Sequence, residues 1–283
     1  MPYFAEFHVR RPGLLVILVE QSGAMARPYT ASRDIHSKAA FAADCVNRLL
    51  LELVLRCSRG DEVCHWFDVA VLAYGGRDGA KPALLGQLRQ YPTVAVTELA
   101  YKPGRVETCV KEFDDAGGII EQEVELPIWI DPVADGSGSM RSGLAGARTV
   151  IANWIAQHRD SFPPVVFHVT GGDSTDADAQ AEAAALRALG TDDGNVLLFN
   201  FHLSSTYQSA VIFPERQADI PGGAAAGLLF SMSSLLPTRS TFLFESGRSE
   251  RARAYQFNPD HRDMRAAMDP DVGSGRASRA DWV

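Results

Sequence analysis

Short apolar runs alternate with helical segments along this chain, and this alternation constrains its fold more than any other feature. The run LLVILVE (Leu14–Glu20) has no polar residue before its final acid. Such continuous runs are typical of strands that are covered on both faces, as in a parallel sheet. Further strands are predicted within Trp66–Gly76, Pro163–Gly172 and Asn195–Leu203.

The segments between these runs have the length and apolar spacing of helices. We predict helices at Ser37–Cys57, Ser142–His158, Asp176–Gly190 and Gly222–Leu236, the last of these being the final helix of the chain. Strand–helix alternation predicts an α/β fold with a doubly wound, mostly parallel central sheet and helices on both faces.

The domain organisation follows from where this pattern stops. Residues 78–131 are less regular and contain four prolines, with a fifth directly after them at Pro132, so we expect an irregular region of strands and loops there. Beyond about Arg239 the chain has mixed charge with Gly, Ser and Pro. We therefore expect one domain over residues 1–239 and a C-terminal extension over 240–283, whose last dozen residues are disordered.

Composition excludes several classes of protein. The net charge of −8 argues against a protein that binds duplex nucleic acid, which would have a basic face. No apolar run reaches 18 residues and the start has no signal-peptide core, so we expect a cytoplasmic protein that does not enter the membrane. Four cysteines without a CxxC pair indicate reduced thiols, and Cys45 in an apolar helical run should be buried.

Three polar loops should meet at one edge of the predicted sheet. They are EQSGAMARP after the first strand, DPVADGSGSMRSG before the helix at Ser142, and VTGGDSTDAD after the strand that contains His168. The carboxyl ends of parallel strands gather at one edge, where such folds bind their ligands. We refer to these segments as the first, second and third loops.

The order and spacing of these loops resemble the von Willebrand factor A-type domain, in particular a bacterial cytoplasmic group of such proteins. The likeness covers roughly Tyr3 to Pro237 and continues more weakly through ARAYQFNPD. It rests on the segments LPIWIDPVADG, FPPVVFHVTGGDSTDAD, DDGNVLLFNFHLSS and LLFSMSSLLP.

The resemblance implies a metal-ion-dependent adhesion site with Asp-x-Ser-x-Ser in the first loop, Thr in the second and Asp in the third. Here Glu20 stands at the first Asp, Ser22 is kept, and Ala24 replaces the second Ser. Gly138 stands at the Thr and Gly171 at the third-loop Asp. Mg²⁺ needs near-octahedral oxygen ligands and loses water reluctantly. We therefore expect no metal site and no cofactor.

The second loop carries a misleading match to the same motif. DGSGSM (Asp135–Met140) has the letters of Asp-x-Ser-x-Ser but precedes the wrong helix. Asp135, Ser137 and Ser139 could form a rearranged Mg²⁺ or Mn²⁺ site if the loops converge. Ordinary turn and cap chemistry explains the same residues, and we prefer it.

A serine hydrolase is the remaining alternative. EQSGA places Ser22 on a predicted strand–turn–helix, the context of a nucleophile elbow. That elbow needs Gly two residues on either side of the Ser, where this chain has Glu20 and Ala24. His168 and His202 lie in apolar runs, where core or strand-end histidines are usual. We expect no enzyme and no catalytic residue.

The function predicted from the sequence is a protein–protein interaction module of a bacterial signalling or stress-response assembly. The resemblance implies a Ser/Thr kinase, a PP2C-type phosphatase or another A-type domain as partner. Glu20 would supply a fixed negative charge and the serines neutral donors. The residues expected to contact the partner are Glu20, Gln21, Ser22, Asp135, Ser137, Ser139, Asp173 and Ser174.

Overall fold

A computed structural model describes residues 3–31, 37–76, 79–115, 118–137, 139–172, 178–237, 240 and 249–268. Its strands are β1 (Gly13–Glu20), β2 (Ser58–Arg59), β3 (Glu62–Val63), β4 (Phe67–Tyr74), β5 (Lys81–Pro82), β6 (Val94–Ala95), β7 (Arg105–Asp115), β8 (Gly118–Ile128), β9 (Val165–Thr170), β10 (Gly190–Thr191), β11 (Gly194–Asn195), β12 (Leu197–His202), β13 (Val211–Ile212) and β14 (Tyr255–Phe257). Its α-helices are α1 (Lys38–Cys57), α2 (Val96–Tyr101), α3 (Met140–Ile155), α4 (Asp178–Ala188), α5 (Ala224–Met232) and α6 (His261–Arg265).

The central sheet has the order β13-β14-β12-β9-β1-β4-β5, and β6 also pairs with β4. The pairs β4–β1, β1–β9, β9–β12 and β12–β14 are parallel. The antiparallel strands β5, β6 and β13 are short and lie at its margins. The prediction of a doubly wound, mostly parallel α/β sheet is confirmed. Chain order reverses between β1 and β9, and open α/β sheets place their binding crevices at such a switch point.

The strand β1 explains why the sheet needs helices on both faces. All eight of its residues are buried. Leu15, Ile17 and Val19 pack into the cluster that contains α1, α2 and α6 residues. Leu14, Val16 and Leu18 pack into the opposite cluster with residues of α3, α4 and α5. Side chains that alternate along a strand thus supply two cores. The large aromatic side chains of Trp129, Trp154 and Phe162 are also buried.

Helix bounds agree with the predictions to within a few residues. Ser37 caps α1, its side chain accepting a hydrogen bond from the Ala40 N–H. The third helix begins at Met140 rather than Ser142, because Ser139 is its cap. The helix predicted at Asp176–Gly190 is described from Asp178, and Gly190 already belongs to β10.

The region over residues 78–131 is more regular than predicted. It contains the helix α2 and a hairpin in which β7 and β8 pair over eleven residues each. Apolar alternation is weak in these strands because Glu, Lys and Asp occupy many of their positions. The expectation of an irregular region is therefore corrected to a helix followed by a long hairpin.

The C-terminal extension takes part in the same sheet. Its strand β14 pairs with β12 on one side and β13 on the other, and its helix α6 packs against α1. The prediction that the chain's last helix lies at Gly222–Leu236 was therefore wrong, since α6 follows it. The final dozen residues, expected to be disordered, lie outside the described residues. No helix among the described residues is long and apolar enough to cross a membrane.

Candidate functional site

The first and second loops are joined at the carboxyl edge of the sheet by two backbone hydrogen bonds. The Gly23 N–H donates to the Gly136 carbonyl over 2.9 Å, and the Asp135 N–H donates to the Gln21 carbonyl over 2.8 Å. Gly136 has φ +91, and a Cβ there would lie 2.3 Å from the Gly75 carbonyl oxygen. Only glycine tolerates both conditions. The predicted meeting of these loops is confirmed.

Glu20, the last residue of β1, joins the first loop to the third. Its side chain is 3% exposed. Oε1 accepts a 2.5 Å hydrogen bond from the Ser22 hydroxyl. Oε2 accepts bonds from the Thr170 hydroxyl at 2.6 Å and the Gly171 N–H at 2.9 Å. A carboxylate is an acceptor only, so both oxygens are satisfied by the protein's own donors.

A buried lysine lies on the other side of the third loop. Lys38 opens α1, is 1% exposed, and donates from Nζ to the Gly171 carbonyl over 3.3 Å. A Cβ added at Gly171 would lie 3.1 Å from this nitrogen and 3.3 Å from Sδ of Met25. Gly171 therefore bonds Glu20 through its N–H and Lys38 through its carbonyl. Lys38 and Met25 occupy the space that a side chain at this position would enter.

A chain of buried polar groups continues from this site across the sheet. Asn200 Nδ2 donates to the Ser233 hydroxyl, which itself donates to the Leu229 carbonyl. The orientation of Asn200 places its Oδ1 2.7 Å from Nδ1 of His168. His168 thus carries its proton on Nδ1, and its Nε2 accepts from the Tyr74 hydroxyl at 2.8 Å.

The two titratable side chains of this hydrogen-bonded network, His168 and Tyr74, are uncharged. Complete burial lowers the pKa of His168, which opposes protonation of the imidazole. Burial, together with the negative charge of Glu20, raises the pKa of Tyr74 well above its ordinary value. A neutral imidazole between two neutral groups positions its neighbours but carries no charge of its own.

The misleading motif in the second loop faces a different environment. Asp135 and Ser137 are exposed. The Ser139 side chain accepts a 3.3 Å hydrogen bond from the Ser142 N–H and caps α3. Asp173 and Ser174, which the sequence assigned to the partner surface, lie outside the described residues.

The described residues at this edge, which exclude Gly138 and positions 173–177, do not fit a magnesium ion. The Glu20 oxygens, which would be the anionic ligands, are both occupied by hydrogen-bond donors. The position of the expected third-loop Asp is Gly171, beside the Lys38 ammonium. A cation needs open oxygen ligands and no neighbouring positive charge. Among the described residues, no three His, Cys, Asp or Glu side chains are grouped so that they could hold an ion.

The geometry around Ser22 differs from that of an activated nucleophile. Ser22 is 6% exposed and its hydroxyl donates to Glu20 two residues earlier. Both ring nitrogens of His168 are bonded to Tyr74 and Asn200. Nδ1 of His202 is 3.0 Å from the Tyr255 hydroxyl. A nucleophilic serine requires a base within hydrogen-bond reach, and these histidines have the contacts of core residues.

Sequence reasoning missed two parts of this site. Lys38 lies in a predicted helix, and its place directly after the capping Ser37, at the binding edge of the sheet, is the only local sign of its role. The hydrogen bonds of His168 with Tyr74 and Asn200 join three strands that are distant in the sequence, so no local sequence pattern indicates them.

No protein-family model matches this chain, and no curated protein matches it significantly. The likeness to the von Willebrand A-type domain therefore rests on the loop and strand segments of the sequence itself.

Proposed function

We propose that this chain is a non-enzymatic protein–protein interaction module that docks a partner through the loops at the carboxyl edge of its sheet, without a metal ion. The observation that carries the proposal is that donors of the protein itself bond both oxygens of the buried Glu20 carboxylate. Its carboxylate accepts from Ser22, Thr170 and Gly171, so a network of fixed hydrogen bonds holds the loops. A bound ion is not needed for that task.

The atoms available to a partner differ from the expected set. Glu20 and Ser22 point inward and act by positioning the loops, and Ser139 caps a helix. Asp135 and Ser137 are exposed, and Gln21 is partly so. An exposed carboxylate beside a hydroxyl suits a basic or polar group on the partner. Asp135 takes over the role of negative charge that the sequence assigned to Glu20.

The partner classes we propose are those that the resemblance implies: a Ser/Thr kinase, a PP2C-type phosphatase or a second A-type domain. We propose a bacterial signalling or stress-response assembly in the cytoplasm as the setting. The four cysteines are free thiols, in keeping with a reducing compartment.

Metal independence is tested by thermal unfolding in EDTA and then with millimolar Mg²⁺, Mn²⁺ or Ca²⁺. An ion at 100 times its dissociation constant would stabilise the fold by about 2.7 kcal/mol, which a melting curve resolves. We expect no saturable shift. A saturable shift that Asp135→Asn abolishes would instead establish the rearranged metal site of the second loop and contradict the proposal.

Docking is tested by calorimetric titration of the purified chain with purified members of the three partner classes. Asp135→Arg should weaken binding at least tenfold, because it places like charge against a basic partner group. The matched control is Asp61→Arg, an exposed acid at the β2–β3 turn, far along α1 from the loops. Equal affinity of the two variants and the wild type for a bound partner would show that docking occurs elsewhere.

A further inference from the structure

Two arginines face one cleft at the opposite, amino edge of the sheet. The cleft has a volume of about 280 Å³ and lies where β12 begins, between the ends of α4 and α5. Arg187 comes from the last turn of α4 and Arg253 from the segment before β14. The cleft is thus built from a different set of elements than the loop site.

The two guanidinium groups converge on a single acceptor. Nη1 of Arg253 donates to the Ser233 carbonyl at 2.8 Å, and Nη1 of Arg187 donates to the same oxygen at 3.4 Å. The two Nη1 atoms therefore lie no farther apart than the sum of these two hydrogen-bond lengths. Arg253 also stacks over the Phe230 ring, with its guanidinium carbon 5.2 Å from the ring centroid. This stacking fixes its orientation.

No acid among the described residues forms an ion pair with either arginine. The Asp193 carboxylate, which interacts with Tyr3 of the cleft wall, accepts hydrogen bonds from the Phe4 and Ala5 N–H groups. Burial and the charge of Arg253 lower the pKa of Arg187, the direction expected for two cations without a counter-ion.

The helix ends beside the cleft offset only part of this charge. A helix C-terminus carries about half a negative charge, so the ends of α4 and α5 together offset about one of the two positive charges. Each guanidinium has five N–H donors, and one on each meets an acceptor among the described residues. The Nε–H of Arg187 is buried and has no acceptor there. Charge and donors both remain available for an anion.

We propose that this cleft binds a phosphoryl group, as the free phosphate ion or as the phosphate of a small organic phosphomonoester. Paired guanidinium forks match the geometry and charge of a dianionic phosphoryl group, and a buried or half-buried setting strengthens the contact. Tyr3, Leu197 and the exposed Leu235 line the same cleft and offer apolar surface to the organic part of an ester.

The test is calorimetric titration of the full chain with inorganic phosphate and with phenyl phosphate, at constant ionic strength so that general screening cancels. We expect saturable 1:1 binding of at least one of them with a dissociation constant of about 1 mM or less. Tighter binding of phenyl phosphate identifies an organic ester as the ligand class, and equal binding identifies the free ion. Benzoate, a monoanion of similar shape, should bind at least tenfold more weakly than phenyl phosphate.

Variants assign the binding to the cleft. Arg187→Gln should weaken phosphate binding at least tenfold, and Arg187→Lys should weaken it less, since it keeps the charge but loses the fork. Arg251→Gln is the matched control, because Arg251 is exposed, lies two residues from Arg253 and changes the net charge equally. Its affinity should be unchanged. Circular dichroism verifies that each variant is folded.

Three outcomes would overturn the proposal: no saturable binding of either phosphate, equal affinity in Arg187→Gln and Arg251→Gln, or benzoate binding as tight as that of phenyl phosphate. None of these bears on the loop site, whose tests use metal ions and protein partners.

Discussion

The two edges of the central sheet differ in how their buried and half-buried charges are paired. At the carboxyl edge Glu20 and Lys38 are almost fully buried, and both are bonded to Gly171. At the amino edge Arg187 and Arg253 share one carbonyl and form no ion pair with a described acid. We infer that charges compensated by the protein's own groups stabilise the fold, whereas the partly compensated arginine pair beside the cleft is available to a ligand.

The largest effect on stability should come from removing Glu20, the buried acid of the carboxyl edge. Glu20→Ala would leave the Ser22 and Thr170 hydroxyls and the Gly171 N–H without their acceptor. Hydrogen bonds to charged groups contribute about 1.5–3 kcal/mol each, and the donors can recover part of this from water. We expect a loss of about 3 kcal/mol in the free energy of unfolding, measured by urea denaturation.

Two further variants locate the origin of that loss. Glu62→Ala removes an exposed acid at the β2–β3 hairpin and should change stability by less than about 0.5 kcal/mol. Glu20→Gln keeps an acceptor for Thr170 and Gly171, so its loss of stability should lie between those of Glu20→Ala and Glu62→Ala. A wild-type stability for Glu20→Ala would mean that the network does not hold the loops.

The second-largest effect concerns the uncharged network of Tyr74, His168 and Asn200 within the sheet. The pKa of His168 is lowered in the fold, so below its ordinary value of about 6.5 the unfolded chain binds a proton that the folded chain does not. Stability contributed by this group is complete above that pH and is lost as pH falls towards the lowered value. The loss is about 1.4 kcal/mol per pH unit.

The matched variant is His168→Gln, which removes the titrating group. We expect the stability difference between wild type and variant to shrink as pH falls from 7.5 to 5 in a series of urea denaturations. The pKa of His65 is raised by its hydrogen bond to Asp68, so its contribution is complete below about pH 6.5 and is lost as pH rises. It is common to both proteins and cancels. A pH-independent difference would show that His168 is not kept neutral.

The same contrast explains what could be predicted from the sequence. The parallel strands and their helices were predictable because β1 and its neighbours are continuous apolar runs flanked by turn residues. The acid of the loop site was predictable for the same reason, since Glu20 ends such a run. Its burial was not, because the donors Thr170 and Gly171 reach it from a strand 150 residues away in the chain.

The arginine cleft could not be predicted at all. Arg187 had the expected place of a basic residue in the last turn of a helix, and Arg253 lay in a segment of mixed charge. Both positions are ordinary when read locally. Their approach depends on β14, a three-residue strand that pairs in parallel with β12 and brings residues 252–254 beside the end of α5. So short a strand has no detectable periodicity.

The smallest expected effect is also the sharpest test of the contrast. Arg187→Met keeps most of the side-chain volume and removes one of the two like charges and the buried, unsatisfied Nε–H. It gives up a hydrogen bond of only 3.4 Å. In phosphate-free buffer at low salt we therefore expect the free energy of unfolding to rise, by less than about 1 kcal/mol.

Salt should reduce the stability difference between wild type and Arg187→Met, and phosphate should reverse its sign. Added sodium chloride screens the repulsion in the wild type and should narrow the difference, since the Debye length falls to about 10 Å at 0.1 M. Phosphate at constant ionic strength should stabilise the wild type alone and make it the more stable protein. If Arg187→Met were instead destabilising under every condition, Arg187 would be a structural cap of α5 and the amino edge would be as fully compensated as the carboxyl edge.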